Sequence, residues 1–255
     1  MEQRNSIGKT LWDIGSPFFL YVILSMSFQD ALALCLTPWL DEAEYLTWSL
    51  AAVNALEIPI FYRMYRVRQG SRSRENPEKS WISAVLGAVF LGRGFNLLLG
   101  LTPLPTLFPG YQSATDSLYG GGLPALLAAS VVTAPVLEEL LVRGILYGEL
   151  KKALQNRYAA MVCASLLFGI LHGNLVQGIF AFLTGLYLNW ICEAEDSLLP
   201  SILAHSALNA STILLSQAEP EWLSEFLGWT PGYLLLTAVC LLAGFACWKK
   251  ILITK

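Results

Sequence analysis

Histidine and charge are scarce in this chain. Only two of its 255 residues are histidine, and 14% are charged, against 55% that are hydrophobic. A soluble domain has about 25% charged residues, so the composition excludes an ordinary soluble protein and indicates an integral membrane protein. The net charge of −3 is too small to point to a partner, and we expect no nucleic acid to bind.

Cysteine and metal-site motifs are also missing. The five cysteines are scattered, mostly within apolar runs, and none has C-x-x-C spacing, so neither a disulfide framework nor a thiolate metal site is indicated. There is no H-E-x-x-H helix either. We therefore predict no metal and no cofactor. The N-terminal apolar run contains Asp13 and Asp30 and no small-residue cleavage site, so it predicts a retained first span.

Apolar runs of spanning length are abundant. They predict an all-α polytopic membrane protein, a bundle of about eight transmembrane helices that forms a single integral membrane domain over 1–255. Two polar stretches, Arg63–Lys79 and Pro103–Gly122, read as loops. The predicted spans are 15–39, 43–62, 80–103, 122–148, 157–174, 175–192, 197–216 and 231–253.

The two halves of the chain differ. Glycine and alanine recur through the second half, and such small residues let helices approach closely in lipid. We interpret 122–216 (spans 4–7) as the functional core, 1–121 (spans 1–3) as a scaffold and 231–253 as a final span. With eight spans, fourteen of the sixteen basic residues fall on one side, which predicts that both termini are cytoplasmic.

Three ionisable residues lie in the fourth apolar run. Glu138, Glu139 and Arg143 interrupt an otherwise apolar stretch, and each charge at that depth costs roughly 2.5–3.5 kcal/mol. Ionisable groups inside a span indicate a functional site. Glu139 and Arg143 are four residues apart and can pair on one helix face, whereas Glu138 is rotated by about 100° and can meet a reacting group.

Both histidines also lie in apolar runs. His172 ends the fifth, and His205 lies in the seventh with Asn209 one turn further on the same face. Because isolated polar groups in lipid are costly, we predict that Glu138, His172, His205 and Asn209 surround one wet cavity. The span limits, however, place His172 about 15 Å nearer the outer surface than Glu138 and His205.

These motifs resemble those of a known family. Glu138-Glu139-x-x-x-Arg143, Phe168-x-x-x-His172 and His205-x-x-x-Asn209, in this order on three spans, resemble the CPBP intramembrane proteases, which include the type II CAAX prenyl endopeptidases and the bacterial Abi proteins. The resemblance implies a glutamate-dependent intramembrane endopeptidase. Glu138 and His172 would activate water, and His205 and Asn209 would hold the oxyanion. Glu139 and Arg143 would support the structure of the site, and Phe168 would pack one turn below His172.

Other functions stay open at this point. Glu138 and the two histidines could bind zinc with an open position for water. A relay of Glu, Arg and His could instead serve a proton-coupled transporter, although no internal repeat relates the two halves. A binding or immunity protein without proteolysis is the third reading.

The expected partners are the lipid bilayer and a membrane-associated peptide or protein substrate. The strong positive-inside bias favours a bacterial plasma membrane.

Overall fold

The computed structural model describes residues 2–36, 39–69, 81–217 and 221–253. Within these ranges the chain is helical and has no strand, which confirms the predicted all-α fold. The helices are α1 (Glu2–Leu36), α2 (Glu42–Gln69), α3 (Trp81–Gly100), α4 (Leu104–Leu107), α5 (Pro109–Gly120), α6 (Gly122–Leu127), π1 (Ala128–Thr133), α7 (Ala134–Glu139), π2 (Leu140–Leu146), α8 (Tyr147–Leu154), α9 (Arg157–Leu171), α10 (Leu175–Glu195), α11 (Leu199–Gln217), α12 (Glu221–Gly228) and α13 (Thr230–Ile253).

Helices lie at all eight places where the sequence predicts a span. α9 has only 15 residues, and α2 and α11 fall short of the criterion of length and apolar composition that identifies a span. The chain is an integral membrane protein that crosses the bilayer several times. In the part of the chain that the structure describes, five helical segments are long and apolar enough to cross a membrane: Gly8–Leu32, Trp81–Gly100, Gly122–Leu154, Leu175–Glu195 and Thr230–Ile251.

The predicted loop Arg63–Lys79 is partly helical. α2 continues to Gln69, because Arg66 and Arg68 in its last turn interact favourably with the negative end of the helix dipole. The rest of that loop, with Arg72, Arg74 and Lys79, lies outside the described residues, as does Lys255.

The prediction of a loop over Pro103–Gly122 is wrong. Two short helices, α4 and α5, occupy most of it. Proline explains the difference, since it is favoured in the first turn of a helix, where its missing N–H is not needed. Pro105 lies in the first turn of α4, and Pro109 begins α5.

The described residues form two compact units. The first contains Met1–Arg72 and Ala114–Leu167, and the second contains Ser73–Ser113 and Phe168–Lys255. In the first unit, α1 and α2 pack against each other and against the long helix Gly122–Leu154. In the second, α3 packs against α10, α11 and α13 around an apolar core that includes Leu91, Leu188 and Leu208.

The helix Gly122–Leu154 is not a regular α-helix. Its hydrogen bonding widens to the π pattern over π1 and π2, on either side of α7. Pro135 in α7 explains the first change, because its ring would clash with the carbonyl group four residues earlier in an α-helix. The hydroxyl of Thr133 donates to the carbonyl oxygens of Ala128 and Ala129 at 3.0 and 3.1 Å. π turns within α-helices occur frequently at functional sites.

Candidate active site

The two adjacent glutamates have different surroundings. Glu139 is fully buried, and its Oε1 accepts a hydrogen bond of 2.8 Å from Nη1 of Arg143, which is only 2% exposed. This is the ion pair that the four-residue spacing predicts. Glu138, the next residue, is only partly buried. The ion pair neutralises one carboxylate inside the protein, while the neighbouring carboxylate is partly exposed.

α2 supports this segment from within the same unit. Nδ2 of Asn54, a residue that is 3% exposed, donates to Oγ1 of Thr133 at 3.3 Å. Thr133 is the last residue of π1 and directly precedes α7, which carries both glutamates. The amide of α2 therefore fixes the place where the helix changes from π to α geometry.

The second unit brings the two histidines to one aromatic ring. The phenyl ring of Phe168 lies 4.9 Å from the imidazole ring of His172 and 5.8 Å from that of His205, both edge to face. Such contacts contribute about 0.5–1.5 kcal/mol each beyond area burial. Phe168 is 2% exposed and His205 5%, so this contact lies in the interior of the unit.

The predicted span limits place His172 about 15 Å nearer the outer surface than His205. The contact of both histidines with one ring shows that this prediction is wrong. α9 ends at Leu171 after 15 residues, or about 22 Å, whereas a full span needs about 20 residues. His172 opens the turn that follows, and Phe168 holds it beside His205.

The hydrogen bond of His172 fixes its tautomer. Nδ1 lies 2.9 Å from the carbonyl oxygen of Phe168. A carbonyl oxygen only accepts, so Nδ1 carries the proton. In the neutral ring, Nε2 then has a lone pair that can accept a hydrogen bond from water.

Close backbone contact sets the position of this turn. A Cβ atom on Gly169 would lie 2.7 Å from the carbonyl oxygen of Gly178, so these glycines let α9 and α10 touch. Gly173 has φ of +70°, a left-handed conformation that glycine adopts without strain. Asn174 then caps α10, because its side chain accepts a hydrogen bond from the backbone N–H of Gln177.

The predicted site residues fall into two sets. Glu138, Glu139 and Arg143 belong to the first unit, and Phe168, His172, His205 and Asn209 belong to the second. Asn209 is partly buried on α11, one turn after His205. That the two sets meet in one cavity stays a prediction.

Sequence reasoning missed Glu57. This residue of α2 is fully buried, and its Oε1 accepts a hydrogen bond of 2.9 Å from the Ser25 hydroxyl. Among the described residues, Oε2 has no hydrogen-bond partner. The signal was present, since Glu57 is a carboxylate inside the apolar run 43–62. A single acid barely changes the hydropathy of such a run, whereas the pair Glu138-Glu139 is conspicuous.

No site for a metal ion is preformed in the part of the chain that the structure describes. Three or more His, Cys, Asp or Glu side chains do not cluster there in a way that could hold an ion. His172 has only Nε2 to offer a metal, because Nδ1 is used by the Phe168 carbonyl group.

Comparison with known proteins adds one match. The family model for type II CAAX prenyl endopeptidase Rce1-like proteins matches residues 120–211, a little over a third of the chain. No curated protein and no solved structure matches the chain. The matched range contains all three motifs and supports a CAAX-type intramembrane protease in general. The family resemblance predicted from those motifs is thereby confirmed: residues 120–211 are similar to the Rce1-like type II CAAX prenyl endopeptidases.

Proposed function

We propose that the chain is an intramembrane endopeptidase that hydrolyses a peptide bond of a membrane-associated protein or peptide. The difference between the two glutamates carries the proposal. Glu139 is committed to a buried ion pair with Arg143, while Glu138 is partly accessible. A general base must reach both water and substrate, and the partial exposure of Glu138 supports it, rather than Glu139, in that role.

In the proposed reaction, the Glu138 carboxylate takes a proton from water. The water oxygen forms a bond to the scissile carbonyl carbon, and the electron pair of the C=O π bond moves to the carbonyl oxygen. Collapse of this intermediate breaks the C–N bond, and Glu138 returns its proton to the leaving nitrogen. Nε2 of His172 accepts a hydrogen bond from the attacking water, as its tautomer allows.

His205 and Asn209 stabilise the oxyanion in this proposal. An N–H donor aimed at such an oxygen contributes about 2.7–4 kcal/mol in other hydrolases. The Phe168 ring orients His205, and the buried surroundings strengthen each hydrogen bond by lowering the local dielectric constant. We propose no metal and no cofactor for this reaction.

Comparative peptidomics of membranes tests the activity. Cells that express wild-type protein should accumulate cleaved membrane peptides that are missing when Glu138→Ala is expressed at the same level. If the two peptide profiles coincide, the endopeptidase proposal fails. Uptake into proteoliposomes that survives Glu138→Gln would favour a transporter instead.

Treatment with chelators distinguishes water activated by glutamate from water activated by zinc. We expect cleavage by the purified protein to survive dialysis against a strong chelator. Loss of activity that added zinc restores would show that cleavage depends on zinc and would favour the alternative in which Glu138, His172 and His205 are its ligands.

We also propose a bacterial plasma membrane with both termini cytoplasmic, on the evidence of the one-sided basic residues. Arg72→Cys provides the test. An impermeant thiol reagent should label this position only after the cells are opened. Labelling of this position in intact cells would show that the protein has the opposite orientation.

A further inference from the structure

One hydrogen bond joins α2 to the helix that carries both glutamates. Nδ2 of Asn54 donates to Oγ1 of Thr133 at 3.3 Å, and the Thr133 hydroxyl donates in turn to the carbonyl oxygens of Ala128 and Ala129. Thr133 ends π1, and Glu138 follows in α7. The amide of α2 is thereby connected to the backbone of the π turn through a single hydroxyl group.

α1 holds α2 by hydrogen bonds before and after Asn54. Oγ of Ser25 donates to Oε1 of Glu57 at 2.9 Å, and Nε2 of Gln29 donates to Oγ of Ser49 at 2.6 Å. Asn54, Glu57 and Ser49 are each at most 3% exposed. All five residues belong to the first compact unit, in which α2 packs against π1, α7 and π2. Asn54 is therefore carried by a helix whose own position is fixed.

The geometry of π1 determines which glutamate is accessible. A π turn closes its hydrogen bonds over five residues instead of four, so it holds more of the chain than an α turn. If π1 relaxed to α geometry, α7 would rotate by about 100°, the angle between neighbouring residues. Glu138 would then take the direction of Glu139, whose side chain is fully buried. The partial exposure of Glu138 thus depends on the π turn that precedes it.

Packing alone does not require the hydrogen bond between Asn54 and Thr133. Valine has the shape of threonine, and an apolar side chain in place of the Asn54 amide would avoid the cost of burying a polar group. A hydrogen bond between helices in a membrane contributes only modestly to stability, but it has a preferred direction that apolar contacts lack. Relaxation of π1 would turn the Thr133 hydroxyl away from α2 and break the bond, so the bond opposes that relaxation.

We propose that Asn54 and Thr133 are positioning residues for Glu138. Their hydrogen bond keeps π1 in the π geometry, and this geometry turns Glu138 rather than Glu139 to the accessible side of α7. α2, one of the spans interpreted above as a scaffold, then determines which carboxylate can act as the base. This inference rests on the proposed function, in which Glu138 is the base.

Chemical labelling of carboxyl groups tests the geometry without any substrate. The protein in lipid is treated with a water-soluble carbodiimide and an amine, and mass spectrometry gives the labelled fraction at Glu138 and at Glu139. In wild type we expect label at Glu138 and little at Glu139. Thr133→Val and Asn54→Ala should each lower the labelling of Glu138 toward the level of Glu139. Thr133→Ser, which keeps the hydroxyl group, should be labelled like wild type.

Thr237→Val is the matched control. Thr237 is 5% exposed, and its hydroxyl donates to the Tyr233 carbonyl oxygen within α13 of the other unit. The substitution therefore removes a hydroxyl group from a span without changing π1, and its labelling should match that of wild type.

Three labelling results would overturn the proposal. The first is a wild-type protein without label at Glu138. The second is unchanged labelling of Glu138 in Thr133→Val and Asn54→Ala. The third is a rise at both glutamates together with a lower melting temperature, because that pattern shows general loosening rather than rotation of α7.

Cleavage of an internally quenched apolar peptide tests the consequence for the reaction. The peptide is chosen because wild type cleaves it and Glu138→Gln does not. Thr133→Val and Asn54→Ala should each lower kcat by about 10- to 100-fold, as misplacement of a reacting group does, with KM and melting temperature close to those of wild type. Thr133→Ser and Thr237→Val should keep wild-type kcat.

The outcomes separate the two proposals. Wild-type kcat in Thr133→Val and Asn54→Ala, or an equal loss of kcat in Thr133→Ser, overturns the positioning role while the endopeptidase proposal stands. If no quenched peptide depends on Glu138, the endopeptidase proposal fails, and the labelling of the two glutamates alone decides whether the hydrogen bond sets the geometry of π1.

Discussion

The two compact units hold polar side chains at membrane depth by different means. In the first unit, Glu139 is held by its ion pair with Arg143, in a helix that changes to π geometry on either side of α7, and Glu57 of α2 is held by a hydrogen bond from Ser25 of α1. At the end of α9 and in α11, the imidazole rings are held by one phenyl ring and a backbone carbonyl group. The first unit thus uses an ion pair and a carboxyl–hydroxyl hydrogen bond, whereas in the second unit both imidazole rings contact the same phenyl ring.

This difference predicts how each region responds to substitution. Loss of one partner near α7 leaves a charge or a donor unsatisfied in a medium that cannot solvate it. Loss of a contact near Phe168 removes dispersion and weak electrostatic attraction, and leaves no buried charge. Activity should therefore be sensitive in both regions, while stability should be far more sensitive in the first.

The largest effect on activity should come from Glu138→Gln. The substitution keeps the shape of the side chain and removes the proposed base, so the rate should fall by about 10² to 10⁴-fold. Folding should be intact, because a partly buried carboxylate is replaced by an uncharged amide. Peptide cleavage and a thermal melt in detergent check both expectations. An early melt for this variant would contradict the assignment of roles to the two glutamates.

The largest effect on stability should come from Glu139→Gln. It leaves the Arg143 guanidinium without its carboxylate partner in a fully buried place, at a cost of about 3–5 kcal/mol in the free energy of unfolding. The double variant Glu139→Gln/Arg143→Met should recover part of this loss, since no uncompensated charge remains. Melting temperatures of the single and double variants give the comparison. Equal melting temperatures for wild type and Glu139→Gln would show that the ion pair does not stabilise the fold.

A smaller effect should follow from Gly169→Ala. The new methyl group would meet the Gly178 carbonyl oxygen at 2.7 Å and force α9 and α10 apart, at about 1–3 kcal/mol. Because His172 follows α9 by one residue, cleavage should fall as well. Gly110→Ala, where nothing lies within 4 Å of the added Cβ, serves as the control. If both alanine variants melt and cleave like wild type, the close approach of the two helices does not matter.

The smallest effect on stability should come from Phe168→Leu. The side chain remains apolar, and the edge-to-face contacts with both histidines are lost, at about 0.5–1.5 kcal/mol each. Activity should fall more than stability, because the histidines lose the ring that orients them. Phe95→Leu, at a phenylalanine packed against the core of the same unit, is the matched control. Equal kcat for the two leucine variants would show that the Phe168 ring has no specific role in the reaction.

The sequence predicts the eight long helices well, because apolar runs of spanning length indicate where they lie, whereas the short helices α4 and α5 lie in a polar stretch that predicts a loop. Prediction of the Glu139–Arg143 pair also succeeds, since both residues lie on one helix and spacing decides whether they meet. The shared contact of His172 and His205 with Phe168 could not be predicted from straight spans, because the short α9 and the left-handed Gly173 set the depth of His172. The sequence analysis missed Glu57 because the sequence does not show which helices pack together, and so does not show that this carboxylate is buried.

The turn between α9 and α10 satisfies several of its own backbone groups. The N–H groups of His172 and Gly173 donate to the carbonyl oxygens of Gly169 and Ile170, and Asn174 accepts from Gln177. A turn closed in this way needs few water molecules and can lie in a hydrocarbon environment that excludes ordinary loops. Its amide protons should consequently exchange with deuterium as slowly as those of the helices beside it, so the interruption that carries His172 would remain rigid through each catalytic cycle.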